Sequence, residues 1–300
     1  MLDFRPMNVA DVGRIAPRLL SMNDISCEYS PACLMMWGKA ELAECGGFFI
    51  PHVTFGDYGG YLRPIGEGDF RTVLPELEAD ARRRGVPFCM FGVAGEARAQ
   101  LEETGRYRFE TNSDYYDYVY SIDSLCTLSG SKLQPKRNHI NRFIAEHGDW
   151  CCEEIDAAAI DECRELCEQW YSDHAAAGID ISAFDAERSA LALAFANYGA
   201  IGFDGMVLRT EGRVIAFSMG NRLSREIYDV NFEKAVASIQ GAYALINREF
   251  SRMIREKYPE VRWLDREDDM GLPGLRKAKQ SYYPAFLIEK YNALLAEETP

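Results

Sequence analysis

Met206-Val207-Leu208-Arg209-Thr210-Glu211-Gly212-Arg213-Val214-Ile215-Ala216-Phe217-Ser218-Met219 is the stretch whose reading decides the fold. Two apolar runs, Met206 to Thr210 and Val214 to Met219, flank the turn Thr210-Glu211-Gly212-Arg213, which is a hairpin signal. Arg225 to Asn231 reads as a third strand of the same meander. Working outward, Trp150 to Ile155 is a strand, and Ile160, Cys163, Cys167, Trp170, Tyr171 and His174 recur at helical spacing. Gly178 ends that helix, and Ser182 is placed to cap a second one running to about Tyr198. Beyond the meander, Ala242, Leu245, Ile246, Phe250, Met253 and Ile254 form an apolar helical stripe. Val261 to Asp265 is a strand, Leu272 to Ser281 a short helix with Pro273 in its first turn, and Ala285 to Tyr291 the last strand.

The order β, α, α, β, β, β, α, β, α, β has a weaker counterpart upstream. Leu2 to Met7 reads as a strand, Val9 to Leu20 and Pro31 to Glu41 as helices, and Gly47 to Phe55 and Gly60 to Pro64 as strands. Phe70 to Arg84 is a helix, Val86 to Val93 a strand, Glu96 to Thr104 a helix, and Tyr115 to Ile122 a strand. What repeats is element order, not residues. The reading is therefore α/β with mixed α+β sheets, in two copies of one fold. The expected boundary lies near Asp123 to Gly130, where Ser, Thr and Gly cluster, giving units 1–125 and 126–300.

The 300 residues, 47% hydrophobic and 27% charged, are long enough for two units of about 150 residues. Lys and Arg number 33 against 47 Asp and Glu, a net charge of −14. That field repels nucleic acid and anionic membranes, so any nucleic-acid contact needs a local basic patch. The most apolar stretch, Ala190 to Phe203, is too short and too interrupted to span a bilayer. With no signal peptide legible at Met1-Leu2-Asp3-Phe4-Arg5, the nine cysteines are expected to be reduced thiols of a cytoplasmic protein. No C-x-x-C occurs, and Cys163, Cys167 and His174 lack zinc spacing, so no metal site is expected. Gly-x-Ser-x-Gly, dinucleotide-binding and Walker signatures are absent.

Three strings carry a resemblance. They are Ser131-Lys132-Leu133-Gln134-Pro135-Lys136-Arg137-Asn138-His139-Ile140-Asn141-Arg142-Phe143, then Asn231-Phe232-Glu233-Lys234-Ala235, and Asp265 to Gly271 with Leu275 to Pro284. Together they resemble the bacterial proteins related to the C-terminal domain of phosphatidylglycerol lysyltransferase. The resemblance implies two tandem GNAT-like acyltransferase domains, as in Fem-type aminoacyl-transferases. Membrane lysyltransferases carry an N-terminal bundle of transmembrane helices that this sequence lacks, which argues against a phospholipid acceptor. The pyrophosphate loop of acetyl-CoA-dependent GNAT enzymes is matched only by Gln240-Gly241-Ala242. Gln240 and Gly241 are the expected cofactor contacts if the donor is an acyl-CoA.

The remaining candidates come from these strings. Lys132, Lys136 and Arg137, with Asn138 and Asn141, form a basic, amide-rich helix start suited to an anion, or simply a solvated basic end. Asp265 to Gly271 fails the calcium-loop pattern at its sixth and twelfth positions. Its acids either favour a helix start or offer a base in Asp269, with Arg266 and Asp268 as substrate contacts. Arg276 and Lys277 are further anion-binding candidates, or partners in a structural ion network with those acids. The resemblance implies that the third strand of the meander and the next one splay into an acyl slot. That makes Glu233 a second candidate base and Asn231 and Asn247 substrate contacts, with a backbone N–H for the oxyanion. Tyr282 or Tyr283 is the implied acid toward the leaving group.

The leading expectation is a transferase of an acyl or aminoacyl group from a CoA-type thioester or tRNA-type ester to a small amine or hydroxyl acceptor, needing no further cofactor. The alternative is a non-catalytic module for a small anionic metabolite or an RNA end.

Overall fold

A computed structural model describes residues 1–22, 26–56, 58–178 and 181–296. Fourteen strands are present among them: β1 (Arg5–Pro6), β2 (Lys39–Cys45), β3 (Phe48–Phe55), β4 (Tyr58–Leu62), β5 (Cys89–Val93), β6 (Tyr107–Thr111), β7 (Asp117–Ser121), β8 (Cys151–Glu154), β9 (Asp204–Thr210), β10 (Arg213–Arg222), β11 (Ile227–Ala235), β12 (Trp263–Asp265), β13 (Phe286–Ile288) and β14 (Tyr291–Leu295). They form two mixed sheets of seven strands, ordered β1-β2-β3-β4-β5-β14-β6 and β13-β7-β12-β11-β10-β9-β8. The sheets exchange strands: β7 precedes residue 125 yet lies in the second sheet, and the final strand β14 lies in the first.

The meander is where the sequence places it. The hairpin β9–β10 turns at Glu211-Gly212, both with positive φ, and β11 pairs antiparallel with β10. Helices Gln134–Glu146 and Ala242–Lys257 cover one face of the second sheet, burying Ile140, Phe143, Leu245 and Phe250 against Leu208, Ala216, Tyr228 and Val230. Helices Ala157–Ala176 and Asp185–Ala196 cover the other face, together with Ala32 and Met36 from the first half. The Asp185 helix starts beyond Ser182, after a 3-10 turn over Ile181–Phe184.

Parts of the fold differ from the sequence reading. The helix expected to Glu41 stops at Met36, because Gly38 takes φ +73° and Lys39–Cys45 then pairs with β3 as β2. Sheet pairing here outweighs the helix propensity of Ala, Glu and Leu. Tyr107-Arg108-Phe109-Glu110-Thr111 alternates as a strand should and forms β6 at an edge of the first sheet. The strand expected from Ala285 to Tyr291 divides at Glu289-Lys290 into β13 and β14, one for each sheet.

One irregularity sorts the side chains of β11 between the two faces of its sheet. Met219 pairs with Phe232, but Asn221 pairs with Asp229, so β11 carries one residue more than β10 across this interval. Such a bulge reverses which face later side chains occupy. Asp229 and Phe232 therefore share one face. Glu233, four residues beyond Asp229, points to the other. Gly220 permits the bulge, because a Cβ there would lie 1.9 Å from the Asp229 carbonyl oxygen. We expect Gly220→Ala to cost at least about 2 kcal/mol in denaturant unfolding, since neither backbone can retreat. Gly199→Ala, exposed in a helical turn with nothing within 4 Å, should be neutral or slightly stabilising.

Candidate active site at a strand divergence

β11 runs beside β12 for three residues only, Ile227↔Trp263 to Asp229↔Asp265, and then continues alone on that side to Ala235. The chain beyond β12 keeps bonding to β7, with Arg266 N donating to Tyr118 O at 3.0 Å and Tyr118 N to Glu267 O at 3.1 Å. The two strands therefore part just before Asn231 and Glu233 on one and Arg266 and Glu267 on the other. Alternation sends Arg266 to the face of Glu233, and Asp265 and Glu267 to the face of Asp229.

On the face covered by helices Gln134–Glu146 and Ala242–Lys257, five candidates converge. Glu233 Oε1 accepts from Arg266 Nη2 at 2.8 Å, and Glu233 Oε2 from Asn247 Nδ2 at 3.0 Å. The Arg266 guanidinium lies 5.1 Å from the Tyr282 ring centroid and 5.7 Å from that of Tyr120. Lys136 Nζ stands 3.9 Å over the same Tyr282 ring and makes no ion pair among the described residues. Burial, and then the neighbouring Arg266 charge, lower the Lys136 ammonium to about 8. Burial pushes the Tyr282 phenol above its ordinary range. Two polar groups here are left without a protein partner although buried: Arg266 Nη1 and Asn247 Oδ1. A buried donor and acceptor left unmatched cost stability unless something binds them.

The other candidates go elsewhere. Arg276 grips Asp269 with two bonds of 2.8 Å and Asp114 with one of 2.6 Å. Asp269 is fully buried and also accepts from Tyr118 Oη and Gly271 N. Arg276 above all holds its carboxyl down to about 2. A carboxylate so saturated has no lone pair to spare as a base, so Asp269, Asp114 and Arg276 form a structural network. Arg137 is spent on the Leu128 and Gly130 carbonyls and on Gln134. Asn138 takes a bond from Gln134, while Asn141 and Lys277 are exposed. Gln240 bonds His139, and Gly241, at φ +95°, packs so closely on the His139 carbonyl that a Cβ would come within 2.5 Å. Lys132 rests 5.2 Å over Tyr283, which is half exposed with φ +55°. Asp268 lies 3.4 Å from Lys290 Nζ.

The opposite face holds residues that sequence reading missed. Asn231 Nδ2 donates to Asp229 Oδ2 at 2.6 Å and Glu267 Oε1 at 3.2 Å, and approaches Ser30 and Cys33 of the first half. Lys290, at the break between β13 and β14, ties Asp117 (2.8 Å) to Glu28 (2.7 Å). The signal lay in a lone charge within an apolar strand, Asp229 in Ile227–Asn231. Two cavities lie apart from both clusters: one of about 250 Å³ beside Cys167 and Arg188, and one of about 730 Å³ beside Trp263, Phe286 and Arg98.

Among the described residues, no helix is long and apolar enough to cross a membrane. The chain is 35% identical to a conserved Bacteroides thetaiotaomicron protein of unknown function, covering 99% of this chain and all of that one, with a TM-score of 0.91. The C-terminal domain of a putative lysylphosphatidylglycerol synthetase from Agrobacterium fabrum superposes at TM-score 0.69, with 14% identity over 97% of this chain and 93% of that one. FemX superposes at 0.61, with 10% identity over 98% and 97%. These last two speak for the fold alone. An uncharacterised Mycoplasmoides gallisepticum protein is 27% identical over 184 residues, 58% of this chain, which spans about half the length of that relative (54%). The family model of the phosphatidylglycerol lysyltransferase C-terminal domain matches residues 21–294, and the chain belongs to that family.

Proposed function

We propose that this protein is a transferase that moves an acyl or aminoacyl group from a CoA-type thioester or tRNA-type ester to an amine or hydroxyl. In this reading the chain is two GNAT-like units in tandem, 1–125 and 126–300, each lending one strand to the other's sheet. The observation that carries the proposal is the convergence of Glu233, Arg266, Asn247, Lys136 and Tyr282 where β11 leaves β12, with Arg266 Nη1 and Asn247 Oδ1 unmatched.

The roles come from chemistry. Glu233 takes the proton of the attacking amine or hydroxyl, its carboxylate aimed by Arg266 and Asn247. The carbonyl carbon of the donor gains the nucleophile and its oxygen gains negative charge. Arg266 Nη1 and the Lys136 ammonium supply the opposite charge there, or on the donor's phosphate. On collapse the thiolate or alkoxide leaves and takes a proton from the Tyr282 hydroxyl. Tyr282 is better placed for this than the exposed Tyr283. Such a mechanism rests on alignment and proton transfer.

The test is incubation of the protein with acetyl-CoA and with aminoacyl-tRNA, each with amine and hydroxyl acceptors, followed by product analysis. Turnover in one arm supports the reading, and binding without turnover in every arm supports the binding-module alternative instead. Glu233→Gln should lower kcat by about 10²–10⁴-fold with the fold intact by circular dichroism. Arg276→Ala should destabilise the protein yet leave kcat/KM of the folded enzyme within about twofold, because its partners are Asp269 and Asp114.

Lys136 adds a pH dependence. Its folded-state value near 8 lies below that of a free lysine, so its charge is present below pH 8 and lost above it. Donor affinity should weaken by up to about tenfold per pH unit above 8. Lys136→Arg, which keeps its charge, should move that limb upward, and Lys136→Met should remove it. An unshifted limb in both variants assigns the titration to another group.

A further inference from the structure

The junction between the two halves holds an excess of buried acid. Asp229, Asp265 and Asp117 are fully buried, and Glu267 stands beside them. Register explains the gathering: Asp229 pairs with Asp265 and Asp265 with Val119, two residues from Asp117, so all three carboxyls share one face of the sheet. Lys290 answers Asp117, Glu28 and Asp268. Lys279 Nζ is directed to the Arg266 and Glu267 backbone carbonyls. Asp229, Asp265 and Glu267 make no ion pair among the described residues, and burying such charges uncompensated is prohibitive.

Within this group, Cys33 Sγ, an Asp229 oxygen and a Glu267 oxygen all lie within 4.8 Å of one another. The sulfur stands 3.5 Å from Glu267 Oε1 and 4.0 Å from Asp229 Oδ2. Bonds of about 2.0–2.3 Å to a tetrahedral cation imply ligand separations of roughly 3.3–3.8 Å. The Asn231 amide occupies the middle. Its nitrogen has four acceptors within 3.7 Å, more than two N–H groups can serve, while Asn231 Oδ1 has no donor at all. Asn231 is 8% exposed. Half a turn of that amide would present the orphaned oxygen to the same centre. Two more buried oxygens, Asp229 Oδ1 and Asp265 Oδ2, also lack a partner.

We propose that Cys33, Asp229, Glu267 and Asn231 form a divalent-metal site, with zinc as the ion its thiol selects, which fastens the first half of the chain to the second. One sulfur with hard oxygen ligands suits zinc, and three anionic ligands outweigh the charge of the ion. The Cys33 thiol releases its proton to solvent on binding, so affinity rises with pH. Asp265 is held behind the ligands, its Oδ1 accepting from Glu267 N at 2.8 Å, and orients the Glu267 segment. Ligands 33, 229 and 267 are too scattered in sequence for spacing to show them. The site lies on the opposite sheet face from Glu233 and Arg266, so it stands or falls separately from the transferase reading.

The test uses the full chain, stripped by chelator and titrated with Co²⁺ alone, then Zn²⁺ alone. One equivalent of cobalt should bind with a near-ultraviolet sulfur-to-metal charge-transfer band, and zinc should raise the melting temperature. Cys33→Ser should abolish the band, while Cys151→Ser, which removes the exposed thiol beside Glu153, should keep it. Glu267→Gln should weaken zinc more than about tenfold, since even outer-shell changes cost that much. A folded wild-type protein with neither band nor melting shift overturns the proposal. So does a band that survives Cys33→Ser, or stabilisation by methylammonium without metal uptake.

Discussion

A peptide carbonyl and a hydrogen atom occupy the space that any other side chain would need. At Gly220 the Asp229 carbonyl lies where a Cβ would be, and this contact lets β11 accommodate an extra residue opposite β10. Everything distinctive about the second sheet depends on that accommodation. Before the bulge, Asp229 faces the first half of the chain. After it, Glu233 faces the helices. Had the strand run regularly, the two acids would share a face, and neither Arg266 nor Asn247 would meet Glu233. The same irregularity coincides with the end of β11–β12 pairing, so one local distortion both sorts the side chains and opens the strands. Bulges beside functional sites are a common device for re-aiming a side chain.

The second constraint is electrostatic. The halves meet through buried charge as much as through apolar packing. Lys290, from the second half, is nearly inaccessible and bound to Asp117 and Glu28, both from the first half. Removing one partner from such a cluster typically costs about 3–5 kcal/mol, because the other charges remain buried. Lys290 sits where β13 and β14 divide, tied to Asp117 of β7 and to Glu28 of the 3-10 turn Cys27–Tyr29. The burden of negative charge also separates the clusters by character. The Glu233–Arg266 pair is balanced, whereas Asp229, Asp265 and Glu267 are not.

How far the sequence could be read depended on whether a signal was local. The β9–β10 hairpin, the stripe from Ala242 to Ile254 and Pro273 in its first helical turn are local patterns, and each forms as read. Lys39–Cys45 failed because its residues favour helix while its strand partner supplies the deciding bonds. The strings quoted for the family did contain Glu233, Arg266, Asn231, Lys136 and Tyr282. Yet the same strings contain Arg137, Arg276 and Asp269, which are consumed by Leu128, Asp114 and one another. Composition alone does not distinguish a cation awaiting an anion from one already paired, since that depends on a partner far off in sequence. Cys33 and Lys290 were illegible for the same reason. Their meaning arises only when residues 27–33 are laid against β11 and β7.

If the protein is a transferase, the divergence of β11 from β12 is where the acyl donor's reacting end is held. The most direct measurement is a crystal structure with a non-hydrolysable acyl-CoA analogue, or with an aminoacyl-adenosine amide standing in for a tRNA end. The transferase mechanism predicts density for the carbonyl group between Glu233, Arg266 and Lys136, with Arg266 Nη1 and Asn247 Oδ1 finding partners. Density instead in the cavity beside Trp263 and Phe286, with Glu233 and Arg266 undisturbed, would contradict it.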